Sequence, residues 1–473
     1  MAWSAVERFS LLGIQFIIQI VLARLLTPDD YGVIGMLAVF LAVSQTFIDS
    51  GFGKALIQNQ RRTERDFATM FVFNIAVACV FYAILFASAP WIADFYEMPI
   101  LVPVTRVLAL SMIVSAFAAV HRAKLEINVD FKTQAKATIA ASLFSGIVGI
   151  AMAYCGFGVW ALVAQTLVSA GTQVVLFWLL IKWFPRYFFS WKSFKPMFRF
   201  GSKLVVASLL HTIYSNLYSI FIGKIYSASA LGFYTKANMF AGLPSQVGNG
   251  ILGRVTFPVL AQVQGDNAHL KHIYGKYLRF STSLLVPLML GICAVAKPLV
   301  IVLIGEKWLP CVPFLQVLCL AWMCDPIMLV NLNLIYVKGR TDLVLKLEIV
   351  KKITATLMMF CGLPFGVLGL CVARAVYAQI AVFMNTYYTG KFLEMTYWVQ
   401  IREVAPIYLS SGTMCAIAWG TTLLFENAWI SLFAGTLVGT VFYLGVSYIL
   451  KFEFWEEAKI FLNKIRSRYG AGE

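Results

Sequence analysis

Fourteen apolar stretches of about 20 residues follow one another along the chain, and a helix of that length crosses a bilayer. A helix also satisfies its own backbone hydrogen bonds, which lipid cannot do. The sequence therefore predicts an all-α integral membrane protein with about 14 transmembrane helices. The predicted spans are residues 5–26, 33–53, 67–90, 101–121, 135–155, 158–181, 204–223, 232–252, 280–304, 311–337, 344–363, 366–389, 404–425 and 429–450.

The composition excludes a water-soluble protein. Only 13% of the residues are charged and 60% are hydrophobic, whereas soluble domains carry roughly a quarter charged residues. Nine cysteines form no Cys-x-x-Cys pair and the four histidines are scattered, so the sequence predicts no metal site and no cofactor.

The excess of 38 Lys and Arg over 22 Asp and Glu gives a formal net charge of +16. In a soluble protein this excess would indicate nucleic acid, but here most basic residues lie in alternate loops between spans. The positive-inside rule then predicts cytoplasmic termini and no nucleic-acid partner. The basic loops are residues 54–65, 122–136, 182–203, 254–279, 338–352, 391–402 and the tail 451–468.

Motifs recur in chain order at offsets near 200 residues. Six helices per copy is an even number, so both copies share one orientation and a pseudo-twofold axis along the membrane normal. We predict an N-terminal lobe at 1–195 (helices 1–6), a C-terminal lobe at 196–392 (helices 7–12), helices 13–14 at 393–450, and a cytoplasmic amphipathic tail at 451–473. The matches are Gly32 with Gly232, Ser44-Gln45 with Ser245-Gln246, Val107–Leu110 with Val317–Leu320, and Cys155–Val159 with Cys361–Val367.

Polar residues form a stripe on the first helix and another on the seventh. Arg8, Gln15 and Gln19 are spaced seven and four residues apart, which places them on one helix face. Such stripes either line a hydrated cavity between the lobes or hydrogen-bond packed helices to each other. The stripe on the seventh helix consists of Ser208, His211, Thr212, Ser215 and Ser219.

Three basic residues on the outer half of the spans are candidate anion ligands: Arg24, Lys224 and Arg374. Arg374 lies about 12 Å into its helix, and an arginine fork can bind a phosphate with two hydrogen bonds. Each arginine also has a structural alternative. Arg24 could pair with Asp29 or Asp30, and Arg374 with Asp325.

Acidic residues within spans are few, and Asp49 and Asp325 are candidate ion-coupling residues. Asp325 precedes Pro326, where a helix break would expose carbonyl groups to a cation. Coupling to a H⁺ or Na⁺ gradient is one interpretation. A structural role for Asp325, as the partner of a buried arginine, is the other.

The segments that carry the motifs resemble a known family. Residues 3–9 (WSAVERF), 22–32 (LARLLTPDDYG), 49–53 (DSGFG) and the pair Phe131-Lys132 are similar to the polysaccharide exporter family of WzxC type. This family belongs to the superfamily of multidrug, oligosaccharidyl-lipid and polysaccharide flippases. Its sequences often begin with a short basic stretch before the tryptophan, so we expect the natural start to lie upstream of Met1.

The resemblance implies a two-lobed helical fold and a function. The expected substrate is an oligosaccharide on a polyprenyl pyrophosphate, a repeat unit of O-antigen, capsule or exopolysaccharide, moved to the outer leaflet of a bacterial cytoplasmic membrane. Arg24, Lys224 and Arg8 match the pyrophosphate-binding positions that the family implies. Membrane lipids, a polysaccharide polymerase and chain-length machinery are the implied partners.

Three alternatives stay open. A cation-coupled multidrug exporter of the same superfamily would favour acidic cavity residues, whereas this chain has a basic surplus on its outer half. A lipid-bound peptidoglycan precursor could be the cargo of the same fold. A membrane enzyme, such as a glycan polymerase or ligase, typically needs a large external loop or paired carboxylates, and the outer loops here are short. We therefore predict a transporter and not an enzyme.

Overall fold

The computed structural model describes residues 2–49 and 52–455, apart from the side chains of residues 2–9, 49, 207, 251, 254 and 255. These residues form helices and turns, and no strand occurs among them. The chain divides into two compact units, Met1–Gly232 and Phe233–Glu473. The helices are α1 (Ala2–Leu25), α2 (Pro28–Asp49), α3 (Phe52–Gln58), α4 (Glu64–Tyr96), α5 (Leu101–Leu108), α6 (Leu110–Ala116), α7 (Ala119–Ile127), α8 (Phe131–Tyr154), α9 (Val159–Ile181), α10 (Trp191–Ile225), α11 (Ala228–Gln262), α12 (Asn267–Ala294), α13 (Ala296–Ile304), α14 (Val312–Trp322), α15 (Asp325–Val337), α16 (Thr341–Gly362), α17 (Gly366–Leu393), α18 (Tyr397–Leu423) and α19 (Ala428–Ile449).

The predicted spans fall on these helices, but their number stays a prediction. By length and hydropathy, nine helical segments in the described part of the chain qualify as spans, or ten if the bent pair Leu101–Ala116 and Ala119–Ile127 counts as one. One of the nine, Thr341–Leu393, has 53 residues. A straight helix of that length would measure about 80 Å, more than twice the hydrocarbon thickness of a bilayer. It contains α16 and α17, which pack against each other, so it covers two predicted spans.

Several helices begin at a polar N-cap residue that lies between two apolar segments of the sequence. Asp130 accepts a hydrogen bond from the backbone N–H of Thr133 at 3.1 Å at the start of α8. Asp266 caps α12, and Asn427 caps α19 by accepting from the N–H of Trp429 at 2.9 Å. Each cap satisfies an N–H group that has no partner within its helix.

One predicted loop is partly helical. The sequence pattern predicts that residues 182–203 connect two spans, but α10 begins at Trp191, with Ser190 as its N-cap. Lys192, Lys195 and Arg199 lie in its first turns. These charged residues lower the local hydropathy, so a search for apolar segments does not find this part of the helix.

The loops of the first unit gather at two ends. At one end, which we call the basic end, Glu64 receives a hydrogen bond from Lys124 at 3.0 Å and another from Trp183 at 2.7 Å. At the other, the short-loop end, Lys224 donates to Glu97 at 2.9 Å. The basic loops and the short loops of this unit therefore lie at opposite ends of its helices, as the alternation of charge requires.

Small residues bring α1, α8 and α9 close together. A Cβ atom at Gly146 of α8 would overlap the side chain of Ile18 on α1. A Cβ atom at Gly149 would lie only 3.1 Å from the Cβ of Gln165 on α9. Close helix packing through glycine is common inside membranes, and here it places polar residues of three helices side by side.

A buried amide pair joins α15, α17 and α18 in the second unit. Asn331 donates to Gln400 at 2.9 Å, and Gln400 donates back to Asn331 at 3.1 Å. Gln400 also donates to the carbonyl of Met395 at 2.8 Å, and Thr389 donates to Asn331. Asn331, Thr389 and Gln400 are at most 1% exposed, so this network is a structural joint.

The Gln400→Leu substitution should lower the free energy of unfolding by about 2–3 kcal/mol, since it leaves the amide of Asn331 buried and short of partners. Denaturant titration of the purified protein in detergent measures this change. The Gln264→Leu substitution, in an exposed loop, is the matched control and should have no effect. A change below about 0.5 kcal/mol at Gln400 would contradict the structural role of the network.

Large apolar side chains face outward along the helices. Leu179, Leu409 and Leu437 are each more than 60% exposed, which suits a surface whose solvent is lipid. The lobes that we predicted from the repeat, 1–195 and 196–392, have other boundaries than the two compact units and remain a prediction. The predicted tail helix lies almost wholly outside the described residues, which end at Trp455.

Candidate functional site

A cavity of about 640 Å³ lies within the first unit, and its lining is polar but uncharged. Helices α1, α2, α6, α8 and α9 contribute to it. Five glutamines and six serine or threonine residues stand beside four apolar residues, and none of the lining residues carries a formal charge. We call it the neutral cavity. Its polar lining is Gln15, Gln19, Gln45, Ser111, Ser115, Ser142, Ser145, Gln165, Thr166, Ser169 and Gln173.

Helical spacing places these side chains on shared faces. Gln165, Ser169 and Gln173 follow one another at four-residue intervals on α9, as do Gln15 and Gln19 on α1. Gln165 lies about 9 Å from the start of α9, since each residue adds 1.5 Å. Gln173 lies about 12 Å from the other end, so the polar face of α9 occupies the middle of the helix.

Several hydroxyl hydrogens in the neutral cavity are already used. Ser111 donates to the carbonyl of Leu108 at 2.6 Å, and Thr166 donates to that of Leu162 at 2.9 Å. A hydroxyl that donates to its own helix keeps oxygen lone pairs for another donor. This part of the wall therefore presents acceptors, while the glutamine side chains offer both donors and acceptors.

A second cavity of about 390 Å³ adjoins the first and contains ionisable groups. Lys54, Arg122 and Glu126 line it, so we call it the charged cavity. Gln45 and Ser115 line both cavities. The charged cavity lies toward the basic end of the unit, where α3, α7 and the first half of α10 meet.

One hydrogen bond links the two cavities. Arg122 donates from Nη2 to Oε1 of Gln173 at 2.8 Å. A guanidinium can only donate, so this bond fixes which end of the amide is oxygen. Arg122 thus holds a residue of the neutral cavity in a defined orientation from the charged side.

The structure distributes the two predicted polar stripes differently. Gln15 and Gln19 of α1 line the neutral cavity. On α10, Ser208 lines the charged cavity, whereas the Thr212 hydroxyl lies 3.1 Å from that of Thr46 on α2, a contact between packed helices. The stripe on α10 therefore contributes to a cavity and to helix packing. Of its other members, Ser215 donates to the carbonyl of His211 at 2.8 Å, and Ser219 is half-buried.

Two predicted anion ligands, Arg24 and Lys224, are exposed at the short-loop end and line neither cavity. The ammonium of Lys224 lies 2.9 Å from Glu97 and 5.3 Å from the ring centroid of Phe95. Hydrogen bonding to Lys224 holds the pKa of the Glu97 carboxyl below its ordinary value. The side chains of Arg8 and Asp49 lie outside those that the structure describes.

Two corners at the short-loop end, residues 28–32 and 228–232, contact each other reciprocally. A Cβ atom at Gly32 would overlap the carbonyl oxygen of Ala228, and one at Gly232 would overlap that of Pro28. Ser229 donates to Asp29 at 2.6 Å. Residue 28 meets 232 and residue 32 meets 228, which is the pattern that a local twofold axis produces.

The second unit contains the third predicted ligand, Arg374. Its Nη1 donates to Tyr234 at 3.0 Å and to Asn238 at 2.9 Å, and its guanidinium carbon is 4.9 Å from the ring centroid of Trp322. Asp325 lies within electrostatic range of Arg374.

The carboxylate of Asp325 has its own neutral partners. It accepts from Ser245 at 2.6 Å and from Asn249 at 3.2 Å. No group of three or more His, Cys, Asp or Glu residues in the described part of the chain could hold a metal ion.

The comparison of sequences identifies the family. Residues 21–313, more than half of the chain, match the family described as polysaccharide biosynthesis protein. The chain belongs to this family.

Curated relatives of this polysaccharide biosynthesis protein are similar over most of their length. The teichuronic acid biosynthesis protein TuaB of Bacillus subtilis is 27% identical over 90% of this chain and 89% of its own. The lipopolysaccharide biosynthesis protein WzxC of Escherichia coli is 25% identical over 87% and 85%. The resemblance to the WzxC type is confirmed.

Solved structures confirm the predicted fold class. The lipid II flippase MurJ, in an inward closed conformation, superposes with a TM-score of 0.76 at 16% identity, covering 95% of this chain and 98% of its own. An inward-facing multidrug resistance MATE transporter gives a TM-score of 0.60 at 14% identity, covering 84% and 98%. At these identities the likeness concerns the fold.

Sequence reasoning missed part of the site of this family member. Arg122 and Lys54 adjoin basic loops, so a sequence pattern assigns them to membrane orientation. Gln45, Gln165 and Gln173 are absent from the predicted stripes, although the four-residue spacing of Gln165, Ser169 and Gln173 is a visible signal. Glutamine at mid-span is costly enough in lipid to indicate a protein-facing or water-facing position.

Proposed function

We propose that the protein moves a polyprenyl-pyrophosphate-linked oligosaccharide from the inner to the outer leaflet of a bacterial cytoplasmic membrane by alternating access. The observation that carries the proposal is the pair of adjoining cavities in the first unit, one neutral and rich in amides, the other charged. Sugars need hydrogen bonds and pyrophosphate needs cations. Relatives named for teichuronic acid and lipopolysaccharide biosynthesis support the substrate class.

The basic residues have a role in this proposal. Arg24 and Lys224 would bind the pyrophosphate at the short-loop end of the first unit, and Arg8, near the opposite end of α1, would bind it on entry. Arg374 is the candidate pyrophosphate ligand of the second unit. The alternation of basic loops supports cytoplasmic termini, and the offset of 200 residues between Gly32 and Gly232 supports two lobes related by a pseudo-twofold axis. A polysaccharide polymerase and chain-length machinery would receive the product.

An ion gradient would supply the energy for transport against a concentration difference. Asp325, held by Ser245 and Asn249, is the described candidate for a H⁺ or Na⁺ site. Asp49, the last residue of α2 in the first unit, is the second candidate. Imposed pH and Na⁺ gradients across proteoliposomes would reveal such coupling as a change in the initial rate of transport.

Reconstitution tests the function directly. Vesicles containing the protein receive a polyprenyl pyrophosphate whose attached glycan carries a fluorophore, and an impermeant quencher is added outside. Label in the inner leaflet should become accessible only with protein present, and a chelator should not change the rate. If a lipophilic cationic dye is transported instead, and the glycan lipid is not, the protein is a drug exporter. Movement of neither probe would reject both functions.

A further inference from the structure

The two cavities of the first unit differ in charge, and charge also distinguishes the anionic pyrophosphate of a glycolipid headgroup from its sugars. The neutral cavity has no charged lining residue, whereas Lys54, Arg122 and Glu126 line the charged cavity. An anion placed in the neutral cavity would lose its hydration without gaining a counter-charge, which is strongly unfavourable. A sugar carries no charge and loses little there if its hydroxyls find partners.

The partners suit a glycan. Ser111 and Thr166 present oxygen lone pairs because their hydrogens bond to Leu108 and Leu162. Gln15 and Gln165 bring amides from two different helices. An amide group both donates and accepts, so it can bind neighbouring sugar hydroxyls in pairs. The volume of about 640 Å³ is within the range of about 300–1,000 Å³ that holds small ligands.

The junction between the cavities defines how a bound headgroup would be oriented. Arg122 lines the charged cavity and holds Gln173, which lines the neutral one, at 2.8 Å. A headgroup that spans this junction would have its anionic part beside Arg122 and its first sugar beside Gln173. Arg122 is then both an anion ligand and the positioning residue of a sugar contact.

We propose that the neutral cavity is the glycan subsite and the charged cavity the pyrophosphate subsite of one binding site, with the Arg122–Gln173 hydrogen bond at their junction. This assignment rests on the proposed function and deepens it. The sugar-binding surface belongs to the first unit alone. It is built from neutral amides, so it selects by the pattern of hydroxyls and not by charge.

The test compares two probes on the full-length protein in lipid nanodiscs: a polyprenyl pyrophosphate without sugar, and the same lipid carrying a neutral trisaccharide. Gln165→Leu and Gln15→Leu should each weaken binding of the trisaccharide lipid by about five- to tenfold, the usual effect of one lost hydrogen bond. Both should leave binding of the sugar-free lipid within about twofold. Lys54→Gln should weaken binding of both probes by a similar factor.

The control is Gln316→Leu, the same change in a spanning helix of the second unit, where Gln316 donates to the carbonyl of Cys293. It should change neither affinity. Gln15 is exposed, so its substitution tests the assignment even if Gln165→Leu fails to fold.

The outcomes separate the two proposals. If the glutamine substitutions weaken binding of both probes equally, or of neither, the assignment of subsites is wrong. The proposed function would still stand, provided that the wild-type protein binds the glycan lipid. A wild-type protein that binds neither probe would overturn the proposed function as well.

Discussion

Oxidation of the Asp29→Cys/Ser229→Cys double variant is expected to stop transport completely, and reduction should restore it. The hydroxyl of Ser229 lies 2.6 Å from the carboxylate of Asp29, so two cysteines at these positions can approach to disulfide distance. The reciprocal contacts of Gly32 and Gly232 hold the same corners together. If transport requires the corners to separate, a covalent link between them blocks it.

The controls for this experiment are the two single-cysteine variants, which carry the nine native cysteines as background. Both should transport equally well in oxidising and reducing conditions. A protease site inserted between positions 29 and 229 reports the link, because the fragments stay joined only when it has formed. Transport at the full rate by the linked protein would show that the corners do not separate during the cycle.

The second large effect is expected for Arg374→Ala, which should reduce transport of the labelled glycan lipid at least tenfold while the protein still inserts and melts normally. In the native protein the guanidinium donates to the neutral side chains of Tyr234 and Asn238 and lies over Trp322, contacts that orient its fork without changing its charge. Initial rates in proteoliposomes at equal protein content measure the effect.

Two further variants separate the ligand role from a structural role. Arg374→Lys keeps the charge but loses the fork, so it should retain part of the transport. Tyr234→Phe removes one hydrogen bond to the guanidinium and should have a small effect. If Arg374→Ala lowers the melting temperature and the amount of folded protein in step with transport, Arg374 has a structural role, the alternative for which the sequence predicted a pair with Asp325.

The helical fold could be predicted from the sequence because a membrane-spanning helix must be a long apolar segment. Such a segment can be recognised without knowing which other residues it contacts. The neutral cavity could be predicted only in part. Gln15 and Gln19 stand out on a helix with few other polar residues. Gln173 depends on Arg122, which lies 51 positions earlier in the chain, and such a pairing is set by helix packing.

The position of charge is the property that the sequence predicts least well. Lysine and arginine near the ends of spans satisfy the positive-inside rule whether or not they also face a cavity, so Lys54 and Arg122 cannot be distinguished from their neighbours. Lys224 shows the opposite problem. Its sequence position makes it a candidate ligand, but its partner Glu97 lies 127 positions away.

The reciprocal corners also bear on how the two halves of this chain could diverge. Positions 29 and 229, at the predicted repeat offset of 200, carry different residues, Asp and Ser. Positions 32 and 232 both carry glycine, and each glycine accommodates a backbone carbonyl of the opposite corner. A methyl group at either position would overlap a carbonyl oxygen of the opposite corner. Replacing either glycine would therefore disturb the contact between the two corners. The backbone of each corner therefore excludes any side chain larger than hydrogen at the glycine of the other.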